Sequence, residues 1–258
     1  TTFGHEKVLF VNNEKAGLKA IIAVHNTVLG PAIGGCRLWP YASEEDALFD
    51  VMRLSRGMSH KNAAAGLKFG GGKAVIIADP SQKTEAMFEA FGEAVNALGG
   101  CYITAEDVNT DCDDAIVMTR KTKYVCGLPA VSGDPSPFTA IGVWQGIKAT
   151  AKVALGSDDL NGVTIAVQGL GKVGYDLCRM LHESGAKLII ANRSNKAMAE
   201  KAVEEFGAVI VPTEQIYAQE CDIFSPNAMG AILNPTTIPQ LKCKAVAGGA
   251  NNQILDDA

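Results

Sequence analysis

Two lysines and a carboxylate are the residues of this sequence best suited to acid–base chemistry. Lys61 and Lys73 bracket a run of small residues, and three glycines, residues 70–72, stand directly before Lys73. A lysine among small and apolar groups loses hydration, which lowers its pKa and makes it usable as a base near neutral pH. The glycines predict a turn before an apolar strand, where a ligand could approach the backbone. A flexible turn with a surface lysine is the alternative.

A phosphate-binding loop is excluded for this stretch. The Walker pattern requires a glycine, four residues and then Gly-Lys-Ser/Thr, but Leu67 occupies the first glycine position and Ala74 the hydroxyl position. Asp107 follows a predicted strand over residues 101–105, and catalytic groups concentrate at such strand ends. The sequence therefore indicates Asp107 as the acidic partner of the lysine site, with a solvated carboxylate as the alternative.

Length, charge and cysteine pattern narrow the class of protein. A chain of 258 residues is long enough for two domains, and its net charge of −5 offers no broad basic surface to nucleic acid. No apolar run reaches the roughly 20 residues of a membrane span, and the N-terminus shows no secretory signal. The seven cysteines include no Cys-x-x-Cys pair, and the histidines lack metal-ligand spacing. We expect a cytoplasmic protein with reduced thiols and no metal.

Apolar periodicity predicts the elements that position the lysines. Residues 6–11 and 18–25 are β-favouring runs that predict a hairpin. A capping-box-like start at Ser43 opens an amphipathic helix that carries Lys61 near its end, and residues 83–98 predict a further helix.

The segment 29–37 is rich in turn formers and predicts a loop. Its Gly34 and Gly35 could present backbone N–H groups to an anion, as nests do. An ordinary loop bend is the alternative for this pair.

A second domain is predicted after the glycine- and proline-rich segment 127–137. The apolar run 163–167 leads into a Gly-x-Gly-x-x-Gly motif, an amphipathic helix and a strand over residues 187–191. In this setting the glycines allow a tight turn and the approach of a pyrophosphate to the helix N-terminus. The motif residues predicted to bind a dinucleotide are Gly169, Gly171, Lys172, Val173 and Gly174.

The residues after that second strand do not decide whether the cofactor is NAD or NADP. An Asp or Glu usually stands here when the ribose 2′-hydroxyl is free, whereas this sequence has Asn192 and Arg193. No carboxylate would repel a 2′-phosphate, and the arginine fork suits phosphate. NAD is expected, and NADP is the alternative.

These motifs together resemble the Glu/Leu/Phe/Val family of amino-acid dehydrogenases. The lysine pair around the triple glycine, the Thr-Ala-Glu-Asp run ending at Asp107, the Pro-Ser-Pro-Phe-Thr run ending at Thr139 and the Gly169–Gly174 motif occur in one order. The resemblance covers essentially the whole chain and is closest to the leucine and valine dehydrogenases.

The resemblance implies an α/β protein of two domains with a cleft between them. Residues 1–134 would form a mixed-sheet substrate-binding and catalytic domain, and residues 135–258 a Rossmann-type, doubly wound NAD(P)-binding domain. Members of the family continue for roughly another hundred residues. The second domain is therefore expected to be incomplete at its C-terminal end.

The resemblance also implies catalytic roles. Lys61 would hold the substrate carboxylate with help from Gly34 and Gly35, since an anion of this kind needs a cation. Lys73 would activate water and polarise the carbonyl or imine, and Asp107 would shuttle protons to the nitrogen. Hydride transfer itself would need mainly positioning from the protein.

Four more residues would set the cofactor contact and the substrate side chain. Thr139 would contact the nicotinamide amide, and Asn252 would lie near the substrate. Ile33 stands where glutamate-specific relatives carry a lysine for a side-chain carboxylate, and burying an unpaired carboxylate there would cost several kcal/mol (roughly). Ala105, where phenylalanine enzymes carry glycine, would favour aliphatic side chains.

The expected function is reversible NAD(P)-dependent oxidative deamination of leucine, valine or isoleucine to its 2-oxo acid and ammonia. Because a methylene changes binding by only ~1–3 kcal/mol, several branched chains are expected as substrates. A phenylalanine or tryptophan dehydrogenase is the alternative enzyme, and a nucleotide-binding regulatory protein without turnover is the alternative outside the enzymes. The resemblance implies a homo-oligomer of two to eight subunits. The net charge of −5 and the lack of a long apolar run predict no nucleic-acid or membrane partner.

Overall fold

The computed structural model describes residues 3–128, 134–193 and 196–255, and the chain divides into two units between Asp134 and Pro135. Five residues of the predicted boundary segment 127–137 lie outside the described residues, as does Ser194 after Arg193. Each unit contains one sheet with helices packed on it.

The first unit has a mixed sheet in the order β1-β2-β5-β3-β6, with β4 also paired to β5. The predicted hairpin is formed by β1 and β2, which pair antiparallel; β2 is also antiparallel to β5, whereas β3 and β4 run parallel to it. The elements are β1 (Lys7–Asn13), β2 (Leu18–Asn26), β3 (Ala32–Ile33), β4 (Cys36–Trp39), α1 (Glu44–Ala64), β5 (Gly70–Ile77), α2 (Glu85–Ala97), β6 (Tyr102–Ile103) and α3 (Cys112–Thr119).

Helices cover both faces of this sheet, and the alternation of side chains along each strand decides which helix a residue meets. In β5, Val75 packs with Val51 of α1, whereas Ala74 belongs to the core that contains Phe88 of α2. Lys73 has the same parity as Val75. Its side chain is therefore placed on the α1 face.

The predicted turn over residues 70–72 is wrong, because the three glycines form the start of β5 and none has a positive φ. A Cβ on Gly70 would lie 1.9 Å from the carbonyl oxygen of Asn26, and one on Gly71 would lie 2.2 Å from the amide nitrogen of Ser59 in α1. Glycine is required here so that neighbouring backbones can approach β5, and not for the backbone freedom of a turn.

The segment 29–37 is likewise more regular than its turn formers predict, since it contains β3 and the start of β4. The Gly34 N–H donates to the carbonyl oxygen of Ile103 at 3.2 Å. Neither Gly34 nor Gly35 has a positive φ. The predicted anion nest, which needs alternating backbone conformations and free N–H groups, is therefore not formed.

The second unit has a parallel sheet in the order β11-β10-β7-β8-β9. The chain runs outward from β7 to β9 and then crosses to the opposite side of β7 at β10. This reversal of strand order is the switch point of a doubly wound dinucleotide-binding sheet. The elements are α4 (Ser136–Leu155), β7 (Thr164–Gln168), α5 (Lys172–Glu183), β8 (Lys187–Ala191), α6 (Lys196–Phe206), β9 (Val209–Ile210), β10 (Ile223–Pro226) and β11 (Ala245–Val246).

The sequence-based fold class, a mixed-sheet α/β unit followed by a Rossmann-type unit, is confirmed. Within the described ranges no helix has the length and apolar character needed to cross a membrane. Over the same residues, no group of three His, Cys, Asp or Glu side chains is arranged to hold a metal ion. Among the described residues, the seven cysteines are thiols and none of them forms a disulfide.

Candidate active site

Lys73 lies in the middle of β5 and is buried, with 3% of its surface exposed. Its Nζ donates to Oδ1 of Asp107 at 2.5 Å, so the structure brings together two predicted residues that are 34 positions apart in sequence. A buried amine in contact with a carboxylate can exchange a proton with it, or with a third group bound beside them.

Asp107 is held by a tight turn that is tied to β4. The Cys36 N–H donates to the carbonyl oxygen of Ala105 at 2.8 Å, which places the chain before Asp107 beside β4. The Asp107 N–H donates to Oγ1 of Thr110 at 2.8 Å, and the Thr110 hydroxyl lies 2.8 Å from the carbonyl oxygen of Cys36. These contacts fix the backbone from which the carboxylate projects.

A buried arginine, which the sequence did not single out, completes the cluster. Arg37 Nε donates to Oδ2 of Asp107 at 3.0 Å, and its NH1 donates to Oδ2 of Asp50 at 2.9 Å. The Tyr41 hydroxyl donates to the same Asp50 oxygen at 2.6 Å. One signal in the sequence could have indicated a cationic partner: the carboxylate of Asp50 falls on the apolar face of α1 next to Val51.

The charges in this cluster shift the pKa values of its members. Burial lowers the pKa of Lys73 below its usual 10.5; Asp107 opposes that shift and Arg37 adds to it. Burial alone would raise the pKa of Asp107, but Lys73 and Arg37 outweigh it and hold the pKa well below 3.8. Asp107 is therefore a carboxylate at neutral pH, beside an amine that loses its proton more readily than an exposed lysine.

The predicted substrate-side residues belong to the strands and the turn that hold this pair. Gly34 and Gly35 are buried, and a Cβ on Gly35 would lie 2.9 Å from Cβ of Asp107. Ile33 belongs to β3, directly beside β5, and is half-buried. Ala105 is half-buried two positions before Asp107. Gly35 thus packs against Asp107, and Ile33 pairs with Gly71 of the strand that carries Lys73. The predicted contacts of these four residues with substrate stay predictions.

Lys61 lies in the last turn of α1 and is exposed. The helix reaches β5 just before this point, because a Cβ on Gly71 would meet the backbone of Ser59. Lys61 thus stands two residues beyond the place where α1 touches the strand that carries Lys73. An exposed cation at this end of α1 suits the carboxylate of a small substrate, and the contact of Lys61 with substrate stays a prediction.

The glycine motif of the second unit has a distinct geometry at each glycine. Gly169 turns the chain after β7 with φ of +89°, and a Cβ on Gly174 would lie 2.0 Å from its carbonyl oxygen. A Cβ on Gly171 would meet no atom within 4 Å, and this glycine precedes α5, whose first turn has no side-chain cap. A tight turn, an open approach and a close helix contact are the three features that a pyrophosphate site requires.

The remaining motif residues lie at the same end of the sheet. Lys172 is exposed and Val173 half-buried in the first turn of α5. Asn192 follows β8, and its Oδ1 accepts a bond of 3.3 Å from the N–H of Leu170 in the glycine loop. Arg193 is exposed beside it. The position after β8 thus joins the loop, as a ribose-binding position must.

Thr139 and Asn252 both belong to the second unit. Thr139 is half-buried in the first turn of α4, where its hydroxyl donates to the carbonyl oxygen of Pro135 at 3.0 Å. Asn252 has a φ of +49°, and its carbonyl oxygen accepts the N–H of Ala231 at 2.7 Å. Their predicted contacts with nicotinamide and substrate stay predictions.

A doubly wound sheet with this glycine loop, joined to a unit with a buried lysine–carboxylate pair, defines a nicotinamide-dependent dehydrogenase. Comparison with known proteins agrees. The family model described as Glu/Leu/Phe/Val dehydrogenase, dimerisation domain, matches residues 5–124. The leucine dehydrogenase of Geobacillus stearothermophilus is 56% identical over 259 residues, covering 99% of this chain and 70% of that protein.

Two relatives with other names are nearly as similar. The phenylalanine dehydrogenase of Bacillus thermotolerans is 49% identical, with 98% of this chain and 68% of that protein covered. The crystal structure of the L-tryptophan dehydrogenase from Nostoc punctiforme superposes with a TM-score of 0.73 at 46% identity, over 99% of this chain and 73% of that one. The chain belongs to the Glu/Leu/Phe/Val dehydrogenase family. It is thus an oxidoreductase of the amino-acid dehydrogenase type that uses a nicotinamide cofactor.

Proposed function

We propose that the protein catalyses the reversible NAD-dependent oxidative deamination of a branched-chain L-amino acid to its 2-oxo acid and ammonia. The observation that carries the proposal is the contact of the buried Lys73 with Asp107, on a strand whose Gly71 pairs with the apolar Ile33. The names of several relatives support it, since leucine dehydrogenases are 53–56% identical to this chain.

The proposed chemistry divides between three residues of the first unit. Lys61 binds the α-carboxylate and thereby sets the position of Cα. When bound, the nicotinamide supplies the hydride acceptor. The amine of Lys73 takes a proton from the water that attacks the imine carbon, and as an ammonium it then polarises the oxygen. The carboxylate of Asp107 carries protons to and from the substrate nitrogen until ammonia leaves.

Substrate choice follows from the absence of a positive charge at Ile33. A glutamate side chain would bring a carboxylate against isoleucine with no partner, at a cost of several kcal/mol (roughly). We therefore expect kcat/KM for leucine to exceed that for glutamate by about 10³-fold or more. Initial rates for leucine, valine, phenylalanine and glutamate, each with NAD and NADP, test this expectation. The matched variant is Ile33→Lys, which should lower the ratio of leucine to glutamate.

Aromatic amino acids are the alternative substrates, because relatives named for phenylalanine and tryptophan are 49% identical to this chain. The methyl group of Ala105 takes space that a glycine would leave to a ring, which favours aliphatic substrates by a small margin. Phenylalanine turnover above that of leucine would decide for the alternative. Glutamate turnover above both would contradict the proposal.

We propose that the protein prefers NAD and that Arg193 allows it to bind NADP as well. Arg193 is exposed after β8, where it could form a charged pair with a 2′-phosphate but only a weaker hydrogen bond with a free hydroxyl. Losing one charged hydrogen bond corresponds to about tenfold or more in affinity. Arg193→Ala should therefore raise KM for NADP about tenfold or more and leave KM for NAD nearly unchanged.

A nearby lysine offers the matched control for Arg193. Lys196 begins α6 and is exposed, so Lys196→Ala removes one positive charge from the same surface. This substitution should change KM for NAD and KM for NADP by small and equal factors. If Arg193→Ala raises KM for NAD and for NADP by the same factor, Arg193 does not distinguish the 2′-phosphate from the 2′-hydroxyl.

We also propose that the protein is a homo-oligomer that assembles through its first unit. The matched family model is described as a dimerisation domain and covers residues 5–124 of that unit. In the first sheet β1 is an edge strand, and Phe10 on it is 51% exposed. An open edge with an exposed aromatic side chain is suited to pairing with a second chain.

A further inference from the structure

The half-buried carboxylate of Asp107 has two cationic partners, although the proposed chemistry uses only one. Lys73 Nζ contacts Oδ1, and Arg37 Nε contacts Oδ2 at 3.0 Å. Arg37 is 3% exposed, so its charge is not screened by water. Its other side is held at NH1 by Asp50, which also accepts the Tyr41 hydroxyl.

The second cation stabilises the Asp107 carboxylate in a state in which a lysine–aspartate pair alone would leave it without a partner. When Lys73 gives up its proton it becomes neutral, and the half-buried carboxylate of Asp107 would be left without a cation. A buried charge without a partner is costly and would draw the proton onto Asp107 instead. An arginine cannot lose its proton in a protein, so Arg37 pairs with Asp107 in both states of Lys73.

We propose that Arg37 is a positioning residue of the catalytic site, which holds Oδ2 of Asp107 and supplies the permanent charge that leaves Oδ1 and Lys73 free for proton transfer. The proposal rests on the function proposed above. It assigns no contact with substrate to Arg37. Asp50 and Tyr41 hold the far side of the guanidinium and so keep its Nε directed at Asp107.

The charged groups around Lys73 determine in which direction the loss of Arg37 would shift the pKa of Lys73. Asp107 raises the pKa of Lys73, Arg37 lowers it, and the buried thiol of Cys36 is the third titratable neighbour. Removing the Arg37 charge while keeping Asp107 should therefore raise the pKa of Lys73. The lysine would then bind its proton more tightly, and the catalytically useful amine would appear only at higher pH.

The test compares Arg37→Gln with two variants that keep the positive charge. In the pH profile of kcat for leucine oxidation, the acidic limb should move to higher pH by about one unit in Arg37→Gln. Arg37→Lys should keep the limb near that of the parent protein with a lower kcat, because one ammonium cannot bridge Asp107 and Asp50. Asp50→Asn removes a negative charge beyond Arg37 and should move the limb slightly to lower pH.

If Arg37 had a purely structural role, all three variants would lose kcat and stability, and the acidic limb of the pH profile would not move. An unmoved limb in folded Arg37→Gln would overturn the proposal. If Arg37→Gln does not fold, Asp50→Asn decides: a shift to lower pH supports the proposal, and an unmoved limb or a shift to higher pH overturns it.

A measurement without turnover separates this proposal from the proposed function. The pKa of Lys73 can be read by NMR of protein labelled at the lysine Cε, with the signal assigned by its loss in Lys73→Met. That pKa should rise in Arg37→Gln and stay near the parent value in Arg37→Lys. Absence of turnover with every amino acid would contradict the proposed function alone, whereas an unchanged Lys73 pKa in Arg37→Gln would contradict the role of Arg37 alone.

Discussion

Lys73→Ala should lower kcat for leucine oxidation by about 10³–10⁴-fold, the contribution expected of a positioned general base. The variant should stay folded, because Arg37 still pairs with the Asp107 carboxylate that loses its lysine. It should also keep its affinity for the cofactor, since the glycine loop belongs to the second unit. Steady-state rates, cofactor titration and thermal unfolding of one preparation measure the three properties.

Lys68→Ala is the control for Lys73→Ala. Lys68 is exposed, lies five positions before Lys73 and forms no part of the charged cluster. Its removal takes the same charge from the same stretch of chain, and kcat should stay within about twofold of the parent value. A small primary amine added to Lys73→Ala should restore part of the rate. A loss of less than tenfold in folded Lys73→Ala would exclude it as the general base.

The partners Lys73 and Asp107 could be predicted from sequence because each carries a local signal. A lysine amid glycines and a carboxylate just after an apolar strand are visible without knowledge of the fold. The dinucleotide loop was predicted for the same reason, since the motif and its flanking strand and helix are contiguous. Where chemistry depends on neighbours in sequence, a pattern is sufficient.

Arg37 could not be identified in this way, because its role depends on strand pairing. It meets Asp107 only because β4 runs beside β5 and the turn at Asp107 is tied to β4. The strands β3 and β4 have 2 and 4 residues, too short to show alternation among glycines and prolines. The helix α3 is also absent from the prediction, since its 8 residues include two adjacent aspartates and little apolar periodicity.

The triple glycine directly before Lys73 forms the start of a strand, although its sequence predicts a turn. Glycine is most often interpreted as a turn former because it permits a positive φ. Here the limiting quantity is space: a Cβ on Gly72 would lie 2.6 Å from the ring of Tyr102, whose hydroxyl donates to the Gly34 carbonyl oxygen at 2.6 Å. A single sequence does not record how closely a second backbone approaches.

The close approach of α1 to β5 leads to the largest expected effect on stability, in Gly71→Ala. The new methyl group would lie 2.2 Å from both the amide nitrogen and Oγ of Ser59 and 2.4 Å from the carbonyl oxygen of Ser55. Because most of these atoms are helix backbone, α1 would have to move away from β5. We expect the first unit to lose about 3 kcal/mol or more of its free energy of unfolding.

The two tryptophans of the chain allow each unit to be followed separately. Trp39 lies in β4 and Trp144 in α4, so denaturation of Trp144→Phe protein reports on the first unit and that of Trp39→Phe protein on the second. Gly71→Ala in the Trp144→Phe background should move the urea midpoint far downward. A nearly unchanged midpoint would show that position 71 has room for a methyl group, which would contradict the packing argument.

Gly142→Ala, followed through Trp144, is the matched substitution with the opposite expected sign. Gly142 lies inside α4 and has no positive φ, and a Cβ added to it would meet no atom within 4 Å. Alanine there should raise the free energy of unfolding by ~0.5–1 kcal/mol, because it removes backbone freedom from the unfolded chain. The same chemical change should thus stabilise a glycine that lies in open space and destabilise one on which a helix backbone packs.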